Sequence, residues 1–368
     1  MYIFREKIEY TLPFHPIFLC GSKYKSEDDL NDKRNVLRSY IENTFPYCKT
    51  IILEKDFKIG RSTKDYLGYH SILLKDLMHV EQIAAIYAKK IFIIHETIST
   101  GAEVGMFAVF PLLASKTCVI YPDSFSIEED KLGNVIRYAF HMDSRSENYI
   151  QVIKYYPDIE VFRFSKNKSD YYNFFHKNEI GIELGNKINS FIMNSPNRKF
   201  FFSICRGSFG KISSDNQSVQ YTIHGIAREL HAYIHPDTLL LHLTALVLMD
   251  GSKKELRKAK KIIDHVDYLC KEYKKILQNS INYYDKEILS VYEIKVKLNI
   301  PMEISIRQAV GYFLFMLQGI QLIHLDSVNE DDPDIRKVVF SQELLKMEDS
   351  LRGIIVEQGE TEFVRNVL

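Results

Sequence analysis

Four short apolar runs punctuate the first half of this chain: residues 16–21 (PIFLCG), 50–53 (TIIL), 91–94 (IFII) and 117–121 (TCVIY). None alternates apolar with polar, so each suits a strand that is covered on both faces. The stretches between them have the other period. Residues 33–44 place Val36, Leu37, Tyr40 and Ile41 at helical spacing, and residues 71–88 set Leu73, Leu77, Val80, Ala84 and Tyr87 on one stripe. A helix is expected over 103–114, a further strand over 160–164 and a helix over 168–194. Strands that alternate with helices make parallel βαβ units. Residues 1–195 therefore read as an α/β domain built on a doubly wound parallel sheet.

The pattern changes after Asn197, and residues 196–368 read as a second, mainly helical domain. Helices are expected over 236–250 and 253–279. In the second, Ile262, Val266, Leu269, Tyr273 and Ile276 form a buried stripe. The segment 291–298, a turn at 299–301, a helix over 305–318 and strands at 322–325 and 337–341 follow the order of a winged helix-turn-helix. The most apolar run, 239–249, is too short to cross a bilayer and reads as a buried helix.

Composition narrows the function. Lys plus Arg and Asp plus Glu both number 48, so any nucleic-acid contact must come from a local patch. The candidate patch is a basic helix face carrying Lys254, Arg257, Lys258 and Lys261; a solvated surface is the competing reading. In the helix 305–318 only Arg307 and Gln308 suit base reading, and its apolar remainder argues against sequence-specific DNA recognition. The five cysteines are scattered, which fits a reducing cytoplasm. The opening MYIFREKIEYTLPFHP lacks a signal-peptide core, and no membrane association is expected. His224, His231, His235 and His242 lack a convergent ligand set, so no metal is expected.

In open α/β sheets ligands bind at the carboxyl ends of the strands. The run 91–94 ends in a loop with Glu96 and Glu103 seven residues apart. Cleavage of a glycosidic C–N bond needs a carboxylate under the anomeric carbon, polar partners for the sugar and backbone N–H groups for phosphate. Glu103, at the expected start of a helix, is the candidate nucleophile. Gly21, Ser22, Arg34, Glu54, Asp56, Glu81, Glu96 and Ser99 are candidate substrate contacts. Thr100-Gly101-Ala102-Glu103 also fits a capping box, in which Glu103 closes the helix start; the two roles are compatible. Arg34 and Arg38 lie one turn apart, and a solvated helix face is the simpler reading of the pair.

These residues resemble the effector proteins of bacterial retrons that carry an N-terminal nucleoside-deoxyribosyltransferase-like domain. The likeness runs through IFLCG at 17–21 with Arg34, Glu54 with Phe57, the stretch from Glu81 to Gly105, Lys116 with the strand to Asp123, and EVFRFSKN at 160–167. The most specific part is EVGMF, which stands where such proteins have an E-x-G-x-F stretch. Where related loops carry Glu-Ser-Pro-Gly, this chain has Glu96-Thr97-Ile98-Ser99. The resemblance implies an N-glycosidase or transferase with Glu103 as nucleophile, no cofactor, and NAD or a related nucleotide as substrate. It also implies a C-terminal winged-helix-like domain. The implied partners are a reverse transcriptase and multicopy single-stranded DNA that restrain a toxic anti-phage effector, in a homo-oligomer or filament-forming complex. Two other readings remain open: a housekeeping nucleoside deoxyribosyltransferase or nucleotide phosphoribohydrolase, and a non-enzymatic nucleotide-sensing regulator.

Overall fold

A computed structural model describes residues 1–6, 9–21, 26, 32–56, 74, 76–122, 144–146, 148–155, 174–176, 179–194, 199–201, 203–207, 219–286, 292–300, 302–328, 332 and 334–358. It divides into two compact units. One comprises Phe14–Lys58 and Ala84–Pro196; the other comprises Met1–Pro13, Ile59–Ile83 and Asn197–Leu368.

The first unit is an α/β domain. Its strands are β1 (His15–Cys20), β2 (Cys48–Ile51), β3 (Lys90–Ile94), β4 (Thr117–Pro122) and β5 (Gln151–Tyr155). All pair in parallel, in the order β2-β1-β3-β4-β5. Every residue of β1 and β3 is buried, as expected of strands covered on both faces. Helices α1 (Lys33–Thr44), α2 (Leu53–Asp56), α4 (Ile98–Ala108), α5 (Pro111–Ala114) and α6 (Ile182–Met193) belong to it, and of α3 (Leu77–Tyr87) the part from Ala84 on. Val36, Leu37 and Ile41 of α1 and Ile188 and Phe191 of α6 pack with Ile17, Leu19, Phe92 and Ile94. Phe18, next along β1 and so on the opposite face, meets Phe107 of α4 edge-on. The order places a topological switch point between β1 and β3, since the chain leaves β1 toward β2 on one side and returns to β3 on the other.

Several expected elements differ. The helix expected over 103–114 is two helices, and the first begins five residues earlier, at Ile98. The helix expected over 168–194 is a short hairpin, Phe175–His176 with Glu179–Ile180, followed by α6. β5 was not expected at all. The strand expected at 160–164 lies outside the described residues.

The second unit is mixed rather than mainly helical. Tyr2–Phe4 pairs with Ile355–Glu357, and Glu9–Thr11 pairs with Lys199–Phe201, so the first thirteen residues belong with the C-terminal part of the chain. A four-stranded sheet contains Ile204–Arg206, Val219–His224, Glu229–Ile234 and Glu293–Leu298. The segment read as the first helix of a winged helix is thus a strand, paired in parallel with Glu229–Ile234. The helix Ile306–Gly319 is buried from Ala309 to Leu317. The helix Pro236–Leu248 is buried at every residue, as the 239–249 run predicts. His242 stacks on Phe4 at 3.8 Å, and its Nδ1 lies 3.3 Å from the Tyr273 hydroxyl. Burial pushes His242 down to about 3, so the ring stays neutral inside this core. No helix among the described residues is long and apolar enough to cross a membrane.

Candidate active site

Gly21 follows β1 directly, and its role is steric. A Cβ there would stand 2.9 Å from Arg34 Cδ, closer than side chains tolerate. Arg34, near the start of α1, is only 1% exposed. Its Nε and Nη2 donate to the two oxygens of Asp32 at 3.1 and 2.9 Å, and its Nη1 donates to Glu54 Oε1 at 2.8 Å. Burial disfavours the guanidinium charge, but Asp32 and Glu54 outweigh it and raise the arginine further above its ordinary value. Asp32 also caps α1 by accepting the Arg34 N–H at 3.0 Å.

Arg38, one turn on, donates from Nε to Thr50 Oγ1 at 2.8 Å and from Nη2 to Asp56 Oδ2 at 2.7 Å. Asp56 is buried and also accepts the Ile52 N–H at 2.7 Å. Burial pushes its carboxyl up against the pull of Arg38. The solvated-face reading of Arg34 and Arg38 is therefore corrected: both are drawn in by carboxylates from α2 or the α1 cap. The sequence shows their helical spacing but not the acids, which lie up to twenty residues away.

β3 ends at Ile94, and His95, Glu96 and Thr97 lead into α4. Glu96 Oε1 accepts the Tyr155 hydroxyl at 2.6 Å and pairs with Lys33 Nζ at 2.8 Å. The same ammonium lies 5.5 Å from the centre of the Tyr155 ring. Burial and the Glu96 charge push the phenol above its ordinary value. Glu96 thus joins the start of α1 to the end of β5. Lys33, Tyr155, His95 and Asp32 escaped the sequence reading; the one available signal was position, since each sits at a strand end or helix start on the rim.

Glu103 lies in the second turn of α4, not at its start. The cap is Thr97, and Thr100, not Glu103, closes the box: its Oγ1 lies 3.4 Å from the Thr97 N–H. The capping reading of Glu103 is corrected accordingly. The residue is half-buried, with its Oε2 inaccessible to solvent. Thr97 Oγ1 and Ser99 Oγ lie 2.8 Å apart on the exposed first turn. Glu81 falls in the α3 segment assigned to the other unit. Lys116 Nζ donates to the carbonyls of Ile86 and Ala88 at 2.9 and 2.8 Å, closing the C-terminal end of α3. Ser22 and Phe57 lie outside the described residues.

The basic stretch of the second unit is not one helix. It breaks into Asp250–Leu256, the short strand Lys260–Lys261 and Ile262–Tyr284. Lys258 and Lys260 both pair with Glu255, Lys261 lies 3.9 Å from Asp332, and Arg257 sits over the Phe340 ring. Lys254 is exposed. The four candidate contacts therefore share no single helix face. The rings of His224 and His231 lie 4.1 Å apart, tilted by 35°, with Glu229 2.7 Å from His231, so a carboxylate does stand beside two of the histidines. His235 instead caps the helix that contains His242, accepting the Asp237 N–H at 3.2 Å. Among the described residues no group of three metal-ligating side chains converges.

Fold and site together define a parallel α/β domain with carboxylates, a histidine and paired arginines gathered at the ends of its strands. Residues 30–271 match the family described as STM3845 retron effector protein. With more than half of its length matched, the chain belongs to that family and is a retron-associated effector. No curated protein matches the sequence.

Proposed function

We propose that the chain is the toxic effector of a retron anti-phage system and cleaves the N-glycosidic bond of NAD or a related nucleotide. The observation that carries the reading is Glu103: a half-buried carboxylate on the helix that follows the central strand β3, beside the switch point, in a chain of the retron effector family. Its carboxylate attacks the anomeric carbon, the C–N bond breaks, and water later releases the sugar from the glutamate. Glu96, held by Lys33 and Tyr155, lines the same strand-end rim. The second unit serves to bind the restraining partners, a reverse transcriptase and its multicopy single-stranded DNA. Its strands Lys260–Lys261, Ile335–Phe340 and Ile323–Ser327 form a small sheet whose last two strands follow the helix Ile306–Gly319, an arrangement similar to a winged helix. The burial of that helix suits protein contact better than groove reading.

Purified protein incubated with NAD and with deoxynucleotides, followed by chromatography of free base, tests the reading. Base release by wild type and its loss in Glu103→Gln supports it; no release from any of them, with or without partners, overturns it. Base exchange in place of hydrolysis would favour the housekeeping transferase.

A further inference from the structure

His95 stands where β3 passes into α4, and its surroundings fix which ring nitrogen carries the hydrogen. The buried Thr100 hydroxyl donates to the Thr97 carbonyl oxygen at 2.6 Å. A hydroxyl has one hydrogen, so toward any other group it acts as acceptor. His95 Nδ1 lies 2.9 Å from that oxygen and must be the donor. In a neutral imidazole the other nitrogen, Nε2, then holds the lone pair. Among the described residues nothing hydrogen-bonds Nε2. Burial alone pushes His95 below its ordinary value, so the ring is neutral at pH 7. Glu96, the adjacent carboxylate, is engaged by Lys33 and Tyr155. The first turn of α4 runs beside the ring: a Cβ at Gly101 would lie 3.5 Å from His95 Cε1, an ordinary van der Waals contact. Glu103 stands three residues after Thr100, on the same side of the helix as the hydroxyl that holds His95.

We propose that His95 Nε2 is the general base of the hydrolytic half-reaction, taking the proton of the water that attacks the glycosyl ester of Glu103. This rests on the reading of Glu103 as nucleophile. In the first half the C–N bond breaks and its electron pair leaves with the base. A pyridinium-type base departs neutral and needs no proton. In the second half the water oxygen bonds to the anomeric carbon, the ester C–O bond breaks, and its pair returns to the Glu103 carboxylate. The water proton moves to Nε2, and the imidazolium gives it to solvent before the next cycle. Thr100 is the positioning residue that keeps Nε2 unprotonated.

The test is rapid-quench kinetics on the full chain with NAD, comparing wild type with His95→Gln between pH 5 and 9. The expected result is release of about one equivalent of base per His95→Gln molecule, then turnover slower by about 10²-fold or more. The rising limb of the pH profile disappears, and added imidazole restores part of the rate. Wild-type turnover with an unchanged pH profile in His95→Gln overturns the proposal while leaving the Glu103 reading intact. Wild type that releases no base from any nucleotide takes both down. Nitrogen-15 NMR of the wild-type His95 ring tests the tautomer without relying on any variant. The Nδ1–H form is expected, and the Nε2–H form overturns the proposal. Thr100→Val is expected to shift that tautomer and slow turnover with it; unchanged turnover after such a shift counts against the proposal.

Discussion

The two sides of the strand-end rim hold their charges in opposite ways. After β1 and β2, Arg34 and Arg38 are locked to Asp32, Glu54, Asp56 and Thr50, and Gly21 leaves room for the packed guanidinium. After β3, each group is held through one atom only: Tyr155 and Lys33 both meet one oxygen of Glu96, and Thr100 meets one nitrogen of His95. The first arrangement neutralises charge and resists movement. The second leaves His95 Nε2 without a hydrogen bond among the described residues, with half-buried Glu103 on the helix that follows. A buried ion pair is weak evidence of function, because breaking it mainly exposes the cost of the orphaned partner. On this account the arginine side is scaffold and the β3 side is reactive, and each can be perturbed separately.

The largest separation is expected from Glu103→Gln. Base release should fall by about 10³-fold or more, as for removal of a catalytic nucleophile, while calorimetry shows only a small change in melting temperature. Arg34→Met should do the reverse. It strands the Asp32 carboxylate and should cost about 3–5 kcal/mol in denaturant unfolding. A wild-type midpoint in that variant would show that the cluster is not structural.

His242 offers a contrast to His95, since it is wholly buried in the core beside Phe4 and Tyr273. It is neutral in the folded chain, while the unfolded chain takes up a proton below the ordinary histidine value of about 6.5. Its contribution is therefore complete above that pH and is lost as pH falls toward about 3, at up to about 1.4 kcal/mol per pH unit. Melting temperatures across that window should fall less steeply in His242→Phe, which preserves the stack on Phe4. Gly21→Ala comes next, at about 1–3 kcal/mol for the forced contact with a guanidinium that Asp32 prevents from moving. Tyr155→Phe should be smallest, at about 1 kcal/mol by thermal melting for one hydrogen bond to Glu96.

Much of the α/β unit was legible because its signals are local. The periodicity over 33–44 gave the bounds of α1, and four of the five sheet strands announced themselves as apolar runs. β5 did not, because Gln151 and Lys154 interrupt it at an edge of the sheet. What sequence could not show was pairing across distance. Lys260–Lys261 leaves the helical pattern to pair with Ile335–Phe340, so tertiary contact overrode local propensity. Glu293–Leu298 has period-two alternation that points to a strand, but the winged-helix frame drew it toward helix. At the candidate site, Glu103, Glu96 and Gly21 were singled out by position. Thr97 misled, because Thr100 serves it as box partner where Thr100-Gly101-Ala102-Glu103 offers a similar pattern one turn later.

The central claim is that Glu103 forms a bond to the sugar. Mass spectrometry of wild-type protein, acid-quenched during turnover of NAD, tests it most directly. The segment 91–116 released by trypsin contains both Glu96 and Glu103, and fragmentation separates them. A glycosyl mass addition on Glu103 is expected, larger in His95→Gln, where the ester persists. Base release with the addition on Glu96 would contradict it.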